Sequence, residues 1–125
     1  MKALVIFFIS LLGFPFGSVN DINDDVTSAL KQGNTGELVK LFSEKVSIKV
    51  LNQEDLLSKS QAQVLIEDFF IKHKVKNYQT SHTSIVNSGH QFITGALDTS
   101  SGRFRVSILV RGNLISQFRI ETDKS

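Results

Sequence analysis

The amino-acid sequence predicts an α+β fold in which a curved antiparallel sheet of four to six strands wraps around three helices. Two observations support this. Between Tyr78 and Glu121, apolar and polar residues alternate in four consecutive runs separated by turn residues, the pattern of antiparallel strands with two unlike faces. In the chain before them, apolar residues recur at helical spacing in three segments. Helices that precede a run of strands are expected to pack together on one face of the sheet.

The first twenty residues differ in kind from the rest. Lys2 precedes the apolar run Ala3–Leu12, and a helix-breaking segment around Pro15 follows. A basic start, a short apolar run and small residues after it are typical of a secretory signal peptide, and the run is too short to span a bilayer comfortably. We therefore expect residues 1–20 to be a signal peptide and residues 21–125 to form one exported domain, periplasmic or secreted, without a stable membrane anchor. The alternative is a buried N-terminal helix.

Charge is distributed unevenly along the chain, and cysteine is absent. Asp21–Ile71 holds five lysines against nine acids, whereas Lys72–Arg119 holds seven basic residues against one acid, Asp98. Such asymmetry fits an anionic partner or self-association, although a solvated strand face is the more common explanation. Without cysteine, neither disulfides nor lipid attachment through a thiol is available.

The N-terminal half of the domain is predicted to be helical with a short hairpin inside it. Gly33 ends the first helix, and Asn34 is placed to cap the second. A strand over Val46–Val50 and a short return strand at Leu56-Leu57 follow, with a turn between them. The apolar positions of the first two helices are Ile22, Val26, Ala29, Leu30, Leu38, Leu41 and Phe42.

A longer third helix follows, and we expect it to cover the sheet. Ser60 is placed to cap it, and the adjacent Phe69 and Phe70 lie on its apolar face, opposite Val106, Ile108 and Phe118 of the sheet. The stripe consists of Ala62, Leu65, Ile66, Phe69, Phe70 and His73.

The strand pattern predicts the registers and the faces of the sheet. Keeping apolar residues opposite one another pairs Val110 with Leu114, Val106 with Phe118 and Phe104 with Ile120. That pairing needs three-residue connections at Arg111–Asn113 and at Ser100–Gly102. The covered face then carries Phe92, Thr94, Ala96, Asp98, Phe104, Val106, Ile108, Val110, Leu114, Phe118 and Ile120. The outer face carries Gln91, Ile93, Leu97, Arg103, Arg105, Leu109, Ile115, Gln117 and Arg119.

The outer face is predicted to pair two copies of the chain. Under these registers Ile93, Leu97, Leu109 and Ile115 form an aliphatic patch within a rim of arginine and glutamine. Contiguous apolar patches on surfaces tend to mark interfaces. We therefore expect a twofold homodimer. The alternative is a monomer in which the arginine stems cover the aliphatic side chains.

The order of elements resembles the nuclear transport factor two-like fold, a cystatin-like cone whose members include ketosteroid isomerase, scytalone dehydratase and non-enzymatic binders. Short segments are similar to a family of small secreted bacterial proteins known only as a domain of unknown function (forty-seven eighty-three). Those segments are Gly33-Asn34, Ser58–Ala62, Asp68–Phe70, Gly95–Leu97, Thr99-Ser100, Arg105-Val106 and Leu114–Glu121. The resemblance covers nearly all of the domain and implies the cone fold without implying an activity.

One end of the covered face is predicted to be polar and to form a cone mouth. Tyr78, Thr80 and His82 are expected there beside Thr94 and Asp98, with Thr80 opposite Asp98 and His82 opposite Ala96. A tyrosine, a histidine and a carboxylate that converge could perform acid–base chemistry. The alternative is an edge strand with one wet face. The predicted ligand-binding residues are Tyr78, Thr80, His82, Thr94, Asp98 and Phe104.

Other kinds of site are not indicated. His73, His82 and His90 are too dispersed for a metal site, and no cofactor motif or phosphate-binding loop is present. Export and the lack of interleaved aromatic residues argue against nucleic-acid binding. We therefore expect an exported non-catalytic binding module for a small apolar ligand or a protein partner. The alternatives are a purely structural or self-associating domain, and a small isomerase or dehydratase that uses Tyr78, His82 and Asp98 as acid/base groups.

Overall fold

A computed structural model describes residues 22–86 and 89–123. Nine elements follow one another in the order α1 (Ile22–Gln32), α2 (Thr35–Val39), β1 (Phe42–Val50), β2 (Gln53–Ser58), α3 (Lys59–Lys72), β3 (Val75–Ile85), β4 (Gln91–Thr99), β5 (Gly102–Arg111) and β6 (Leu114–Thr122). The strands form one curved, open sheet in the order β2-β1-β6-β5-β4-β3. The α+β cone is therefore confirmed. The sheet is mixed rather than wholly antiparallel, because β1 runs parallel to β6.

Local signals in the sequence set the helix ends. Gly33, at φ +61°, ends α1, and the Asn34 side chain caps α2 by accepting a hydrogen bond from the Glu37 N–H at 3.1 Å. The third helix begins two residues earlier than predicted, because Ser58 rather than Ser60 caps it. Ser58 Oγ accepts from the Gln61 N–H at 3.3 Å, and Gln61 Oε1 accepts from the Ser58 N–H at 3.1 Å.

Helices α1 and α3 cover one face of the sheet, and α2 packs against both of them. Helix α3 packs over β1 and β2, and α1 packs over β3. Phe69 of α3 reaches further across the sheet to Phe104 of β5, with ring centroids 5.2 Å apart. The residues of the sheet and of α3 that form the centre of this core are Phe42, Val46, Ile48, Ile66, Ile93, Leu97, Val106, Ile108, Ile115, Phe118 and Ile120.

The predicted register between β5 and β6 is wrong. The connection has two residues, since Arg111 pairs with Leu114, and Val106 pairs with Ile120 rather than with Phe118. A bulge at Ser116 makes this possible: the pairing shifts by one residue between Leu109 and Val110. The extra residue reverses the alternation, so Ile115 is fully buried and Leu114 is exposed, the opposite of the prediction.

The predicted faces of β4 are also inverted. Thr99 pairs with Gly102, so the connection to β5 has two residues instead of three. Because the connection is one residue shorter than predicted, every side chain of β4 lies on the opposite face of the sheet from the predicted one. Ile93 and Leu97 therefore lie on the covered face, opposite Ile108 and Phe104. The residues turned to the outer face are Phe92, Thr94, Ala96 and Asp98.

The inversion of β4 and the bulge in β6 together remove the surface that was assigned to a homodimer. Ile93, Leu97 and Ile115 are fully buried in the core, and of the four predicted residues Leu109 alone lies on the outer face. The prediction of an apolar patch on that face is therefore wrong. Whether two copies of the chain pair stays a prediction without an assigned surface.

The predicted signal peptide, residues 1–20, lies outside the described residues, and export stays a prediction. Within residues 22–86 and 89–123, no helix combines the length and the apolar composition that crossing a membrane would need.

Candidate functional site

The structure separates the predicted site residues onto two faces of the sheet. Strand β3 contains a bulge between the pairs Thr80–Gly95 and His82–Thr94. Tyr78 and Thr80, before the bulge, face the helices, whereas His82, after it, pairs with an outer-face residue. Thr80 lies opposite Gly95 rather than Asp98, so the predicted registers here are wrong as well.

Tyr78 is a core residue that stabilises the packing of α1 on β3. Its ring is fully buried and lies over Gly95. Burial raises the pKa of Tyr78, and the hydrogen bond with Thr80 opposes this in part. Its hydroxyl is 3.2 Å from Thr80 Oγ1, which donates to Asn23 Oδ1 at 3.0 Å and lies 3.4 Å from Thr27 Oγ1. This polar cluster links the two elements.

The remaining predicted residues do not join Tyr78. His82 is exposed on the outer face, and Asp98 forms an ion pair there with Arg103 at 2.9 Å. Phe104 is buried beneath α3. The predicted convergence of Tyr78, His82 and Asp98 is therefore wrong. The alternation of apolar and polar residues does not reveal the bulge in β3 or the two-residue connection that inverts β4.

A different region carries the features of a binding site: the turn between β1 and β2. Val50 pairs with Gln53, which leaves Leu51 and Asn52 as a two-residue connection. Leu51 has φ +56°, the only positive φ outside glycine in the described ranges, 22–86 and 89–123. Glycine is normally preferred at this position, and such backbone strain costs about 1–3 kcal/mol and clusters at functional sites. The Leu51 N–H donates to the Ile120 carbonyl at 2.8 Å, which holds the turn against β6.

Three clefts meet at this turn, and Asn52 lines all of them. The first, which we call the His73 cleft, lies between the turn and the C-terminal half of α3 and has a volume of about 250 Å³. Its lining consists of Val50, Leu51, Asn52, Gln53, Leu65, Asp68, Phe69, Lys72 and His73.

His73 is the most unusual polar group of the His73 cleft. Its ring stacks on Phe69 at 4.4 Å between centroids and meets the ring of Phe104 edge-on at 5.2 Å. Its Nδ1 atom is buried and has no hydrogen-bond partner among the described residues. Asp68, on the rim, is paired with Lys72 at 3.1 Å. A buried nitrogen without a partner costs about 1–3 kcal/mol, which a ligand that bonds to it would recover.

The second cleft extends the first along the edge of the sheet. It runs between β2 and α3, has a volume of about 520 Å³, and shares Asn52, Gln53 and Leu65 with the His73 cleft. Val64 of α3 borders it and is 70% exposed. The shared residues join the two clefts into one groove, whose lining mixes apolar and polar side chains.

The third cleft, which we call the outer cleft, opens on the other face of the sheet. It has a volume of about 480 Å³ and is lined by Lys49, Leu51, Asn52, Arg105, Glu121 and Thr122. The pKa of Glu121 is lowered, mainly by the hydrogen bond from Lys49. Burial opposes this shift in part, and the positive charges of Lys49, Arg119 and Arg105 add to it.

Among residues 22–86 and 89–123, no three histidine, aspartate or glutamate side chains come together as a metal site would need. His73 stands between aromatic rings rather than beside a carboxylate. The sequence did place His73 on the apolar stripe of the third helix, which was a usable signal. The strain at Leu51 had no signal in the sequence, because leucine rarely occupies such a position.

Comparisons with known proteins support the fold. A family profile described as a domain of unknown function (DUF4783) matches residues 23–122. The chain is similar to a DUF4783 protein of Bacteroides uniformis, with 30% identity over 84% of this chain and 100% of that one and a TM-score of 0.76. A DUF4783 protein of Bacteroides fragilis is 32% identical over 82% of this chain and 100% of that one, with a TM-score of 0.75.

A more distant likeness extends to the wider fold. An NTF2-like protein of unknown function from Cytophaga hutchinsonii is 13% identical over 82% of this chain and 88% of that one, with a TM-score of 0.59. At that identity the likeness concerns the fold alone. The search of curated proteins found no match.

Proposed function

This chain belongs to the DUF4783 family within the NTF2-like fold, and from that premise we propose that it is an exported, non-catalytic module that binds a small ligand in the His73 cleft. The ligand has an apolar body and one polar group that forms a hydrogen bond with His73 Nδ1. Export rests on the sequence of residues 1–20.

The buried, unpartnered Nδ1 atom of His73 is the main observation in favour of this function. Ligand sites in proteins are concave and mostly apolar, with a few placed polar groups that fix orientation. Part of the lining of the His73 cleft is apolar, in Val50, Leu65 and Phe69, and its histidine has a buried nitrogen without a partner in the described part of the chain. The strained turn at Leu51 forms its opposite side.

Catalysis by the predicted trio lacks support, since Tyr78 and Asp98 lie on opposite faces of the sheet. The proposed binding role needs only the shape of the cleft and one hydrogen bond, which we assign to His73 Nδ1.

The proposal is tested with 1-naphthol and naphthalene as probes, since they differ only in the hydroxyl group. Binding is measured by NMR titration of the chain from residue 21 onward. We expect 1-naphthol to shift the resonances of His73 and Leu65. His73→Phe keeps an aromatic ring but removes the nitrogen, so it should weaken 1-naphthol by about tenfold, the value of one hydrogen bond, and leave naphthalene unchanged.

His82→Phe is the matched control, because His82 is exposed on the opposite face. It should leave the affinity for both probes unchanged. If His73→Phe binds 1-naphthol as tightly as the wild type does, or if neither probe shifts the His73 cleft, the proposed function is wrong.

A further inference from the structure

The outer face of the sheet carries a cluster of charges beside the outer cleft. Lys49 of β1 and Arg119 of β6 are direct partners in the parallel pair, and Arg105 of β5 is the direct partner of Glu121 in the antiparallel one. Glu54 of β2 pairs with Lys49 on the other side. Like charges placed opposite each other destabilise a sheet, so the Lys49–Arg119 pair needs negative charge nearby.

The negative charge that the cluster supplies itself is incomplete. Glu121 and Glu54 are two carboxylates against the three cations Lys49, Arg105 and Arg119. A net charge of about +1 therefore remains in the cluster at neutral pH.

The arginine contacts in the cluster are also long. Lys49 Nζ lies 3.0 Å from Glu121, but Arg105 lies 3.6 Å from it, and Arg119 lies 3.5 Å from it and 3.4 Å from Glu54. Charge-assisted N–H···O bonds normally measure about 2.7–2.9 Å, and a guanidinium group has five N–H donors. Both arginines therefore retain donor capacity for a further acceptor.

Partial burial makes these charges more effective than ordinary surface charges. The side chains of Lys49, Arg119 and Glu121 are exposed by only 26%, 30% and 25%, whereas that of Arg105 is 51% exposed. Charges held partly out of water interact more strongly with a ligand than solvated ones do. The outer cleft opens beside them, and Asn52 and Thr122 on its wall add polar groups that can donate hydrogen bonds.

We infer that Lys49, Arg105 and Arg119 form a binding site for an oxyanion, a phosphate or carboxylate group, in the outer cleft. This site goes beyond the proposed function, because it lies on the opposite face of the sheet from His73. Its ligand adds the negative charge that the cluster lacks and offers the arginines short, planar hydrogen bonds.

Arg103 supplies the matched control. It lies on the same strand and the same face as Arg105, but its Nε forms a 2.9 Å ion pair with Asp98. An oxyanion would have to displace that carboxylate to bind there, so Arg103 is not expected to contribute.

The experiment titrates the domain with inorganic phosphate and with acetate, followed by NMR, against sodium chloride at equal ionic strength to separate binding from screening. We expect phosphate to shift the resonances of Lys49, Arg105 and Arg119 where chloride does not. Lys49→Gln and Arg105→Gln should each lower the affinity for phosphate by about tenfold. Arg103→Gln and His73→Phe should change that affinity by less than twofold. Thermal unfolding of each variant confirms that it is folded.

Vesicles with phosphatidylglycerol, compared with vesicles of phosphatidylcholine alone, separate a lipid headgroup from a free anion. Binding of phosphate without vesicle binding supports a free oxyanion as the ligand. Vesicle binding that Lys49→Gln and Arg105→Gln abolish supports the same site with a headgroup in it. If neither phosphate nor the phosphatidylglycerol vesicles bind, or if Arg103→Gln weakens binding as much as Arg105→Gln does, the inference is wrong. This outcome does not depend on whether His73→Phe changes the affinity for 1-naphthol.

Discussion

Replacing Gly95 with alanine tests the most crowded contact of the core. Gly95 lies on β4, next to the edge strand β3, and its partners in the neighbouring strands are Thr80 and Val106. A Cβ atom there would meet the Tyr78 hydroxyl oxygen first, and it would lie 2.5 Å from Tyr78 Cζ and 2.7 Å from the Gln79 carbonyl oxygen, where real Cβ atoms stay beyond 3.0 Å. The tyrosine ring would have to move by about 1 Å within a close-packed core.

The expected cost follows from these contacts. Overpacking a core costs about 1–3 kcal/mol, whereas Gly→Ala in an unstrained position gains about 0.4–1 kcal/mol by restricting the unfolded chain. Tyr78 is fully buried, and the Gln79 oxygen belongs to the backbone, so neither neighbour can turn away. We therefore expect Gly95→Ala to lower the free energy of unfolding by about 2 kcal/mol in urea denaturation.

Two further variants make this result specific. In a Tyr78→Leu background the cost of Gly95→Ala should fall by about 1 kcal/mol, because the ring is gone while the backbone contact remains. Gly36→Ala is the control: its Cβ would meet only Asn34 Oδ1 at 3.6 Å, and alanine favours the helix there. A Gly95→Ala cost below about 0.5 kcal/mol would refute the packing of Tyr78 over Gly95.

Three other predictions concern the helix, the charged cluster and the N-terminus. Phe69→Ala should cost about 3–5 kcal/mol in urea denaturation, since the ring packs on Phe104 and His73, and a change below about 1 kcal/mol would contradict the docking of α3. Because the folded pKa of Glu121 is lowered, its contribution to stability is present above pH 4.5 and is lost as the pH falls below that value. Glu121→Gln should therefore be less stable than the wild type at neutral pH, and this difference should shrink in acid, while a pH-independent difference would argue against the ion pairs. N-terminal sequencing of exported protein should find a start between Ser18 and Asp21, and an intact Met1 would contradict the signal peptide.

The fold was predictable because its local signals agree with one another. The helix ends at Gly33 and Asn34, the apolar face of the third helix and the four alternating runs all describe the elements that the structure contains. The registers were not predictable in the same way. A period of two tells which residues share a face within a strand, but not where one residue is skipped, and the bulge at Ser116 reverses the alternation without any residue type that signals it.

The candidate site depended on those registers, so it was predicted less well. Tyr78, Thr80 and Phe104 were placed correctly on the covered face, but His82 and Asp98 lie on the other one. The parallel pairing of β1 with β6 also had no local signal, because the two strands are distant in sequence. That pairing brings Lys49 beside Arg119 and thereby forms the charged cluster.

The parallel pairing of β1 with β6 has a consequence for how the chain folds. The residues it brings together, such as Lys49 and Glu121, are 72 positions apart, whereas β3, β4, β5 and β6 each pair with a neighbour in the chain. Contacts with low sequence separation close small loops and form early, so we expect the folding nucleus to lie in the β3–β6 meander, with β1 docking late. A chain that ends at Arg111 would therefore lose more than β6. Without β6, the strands β1 and β2 and the helix packed on them would have no strand to pair with. We expect the circular dichroism spectrum of this shortened chain to be that of a largely unfolded protein.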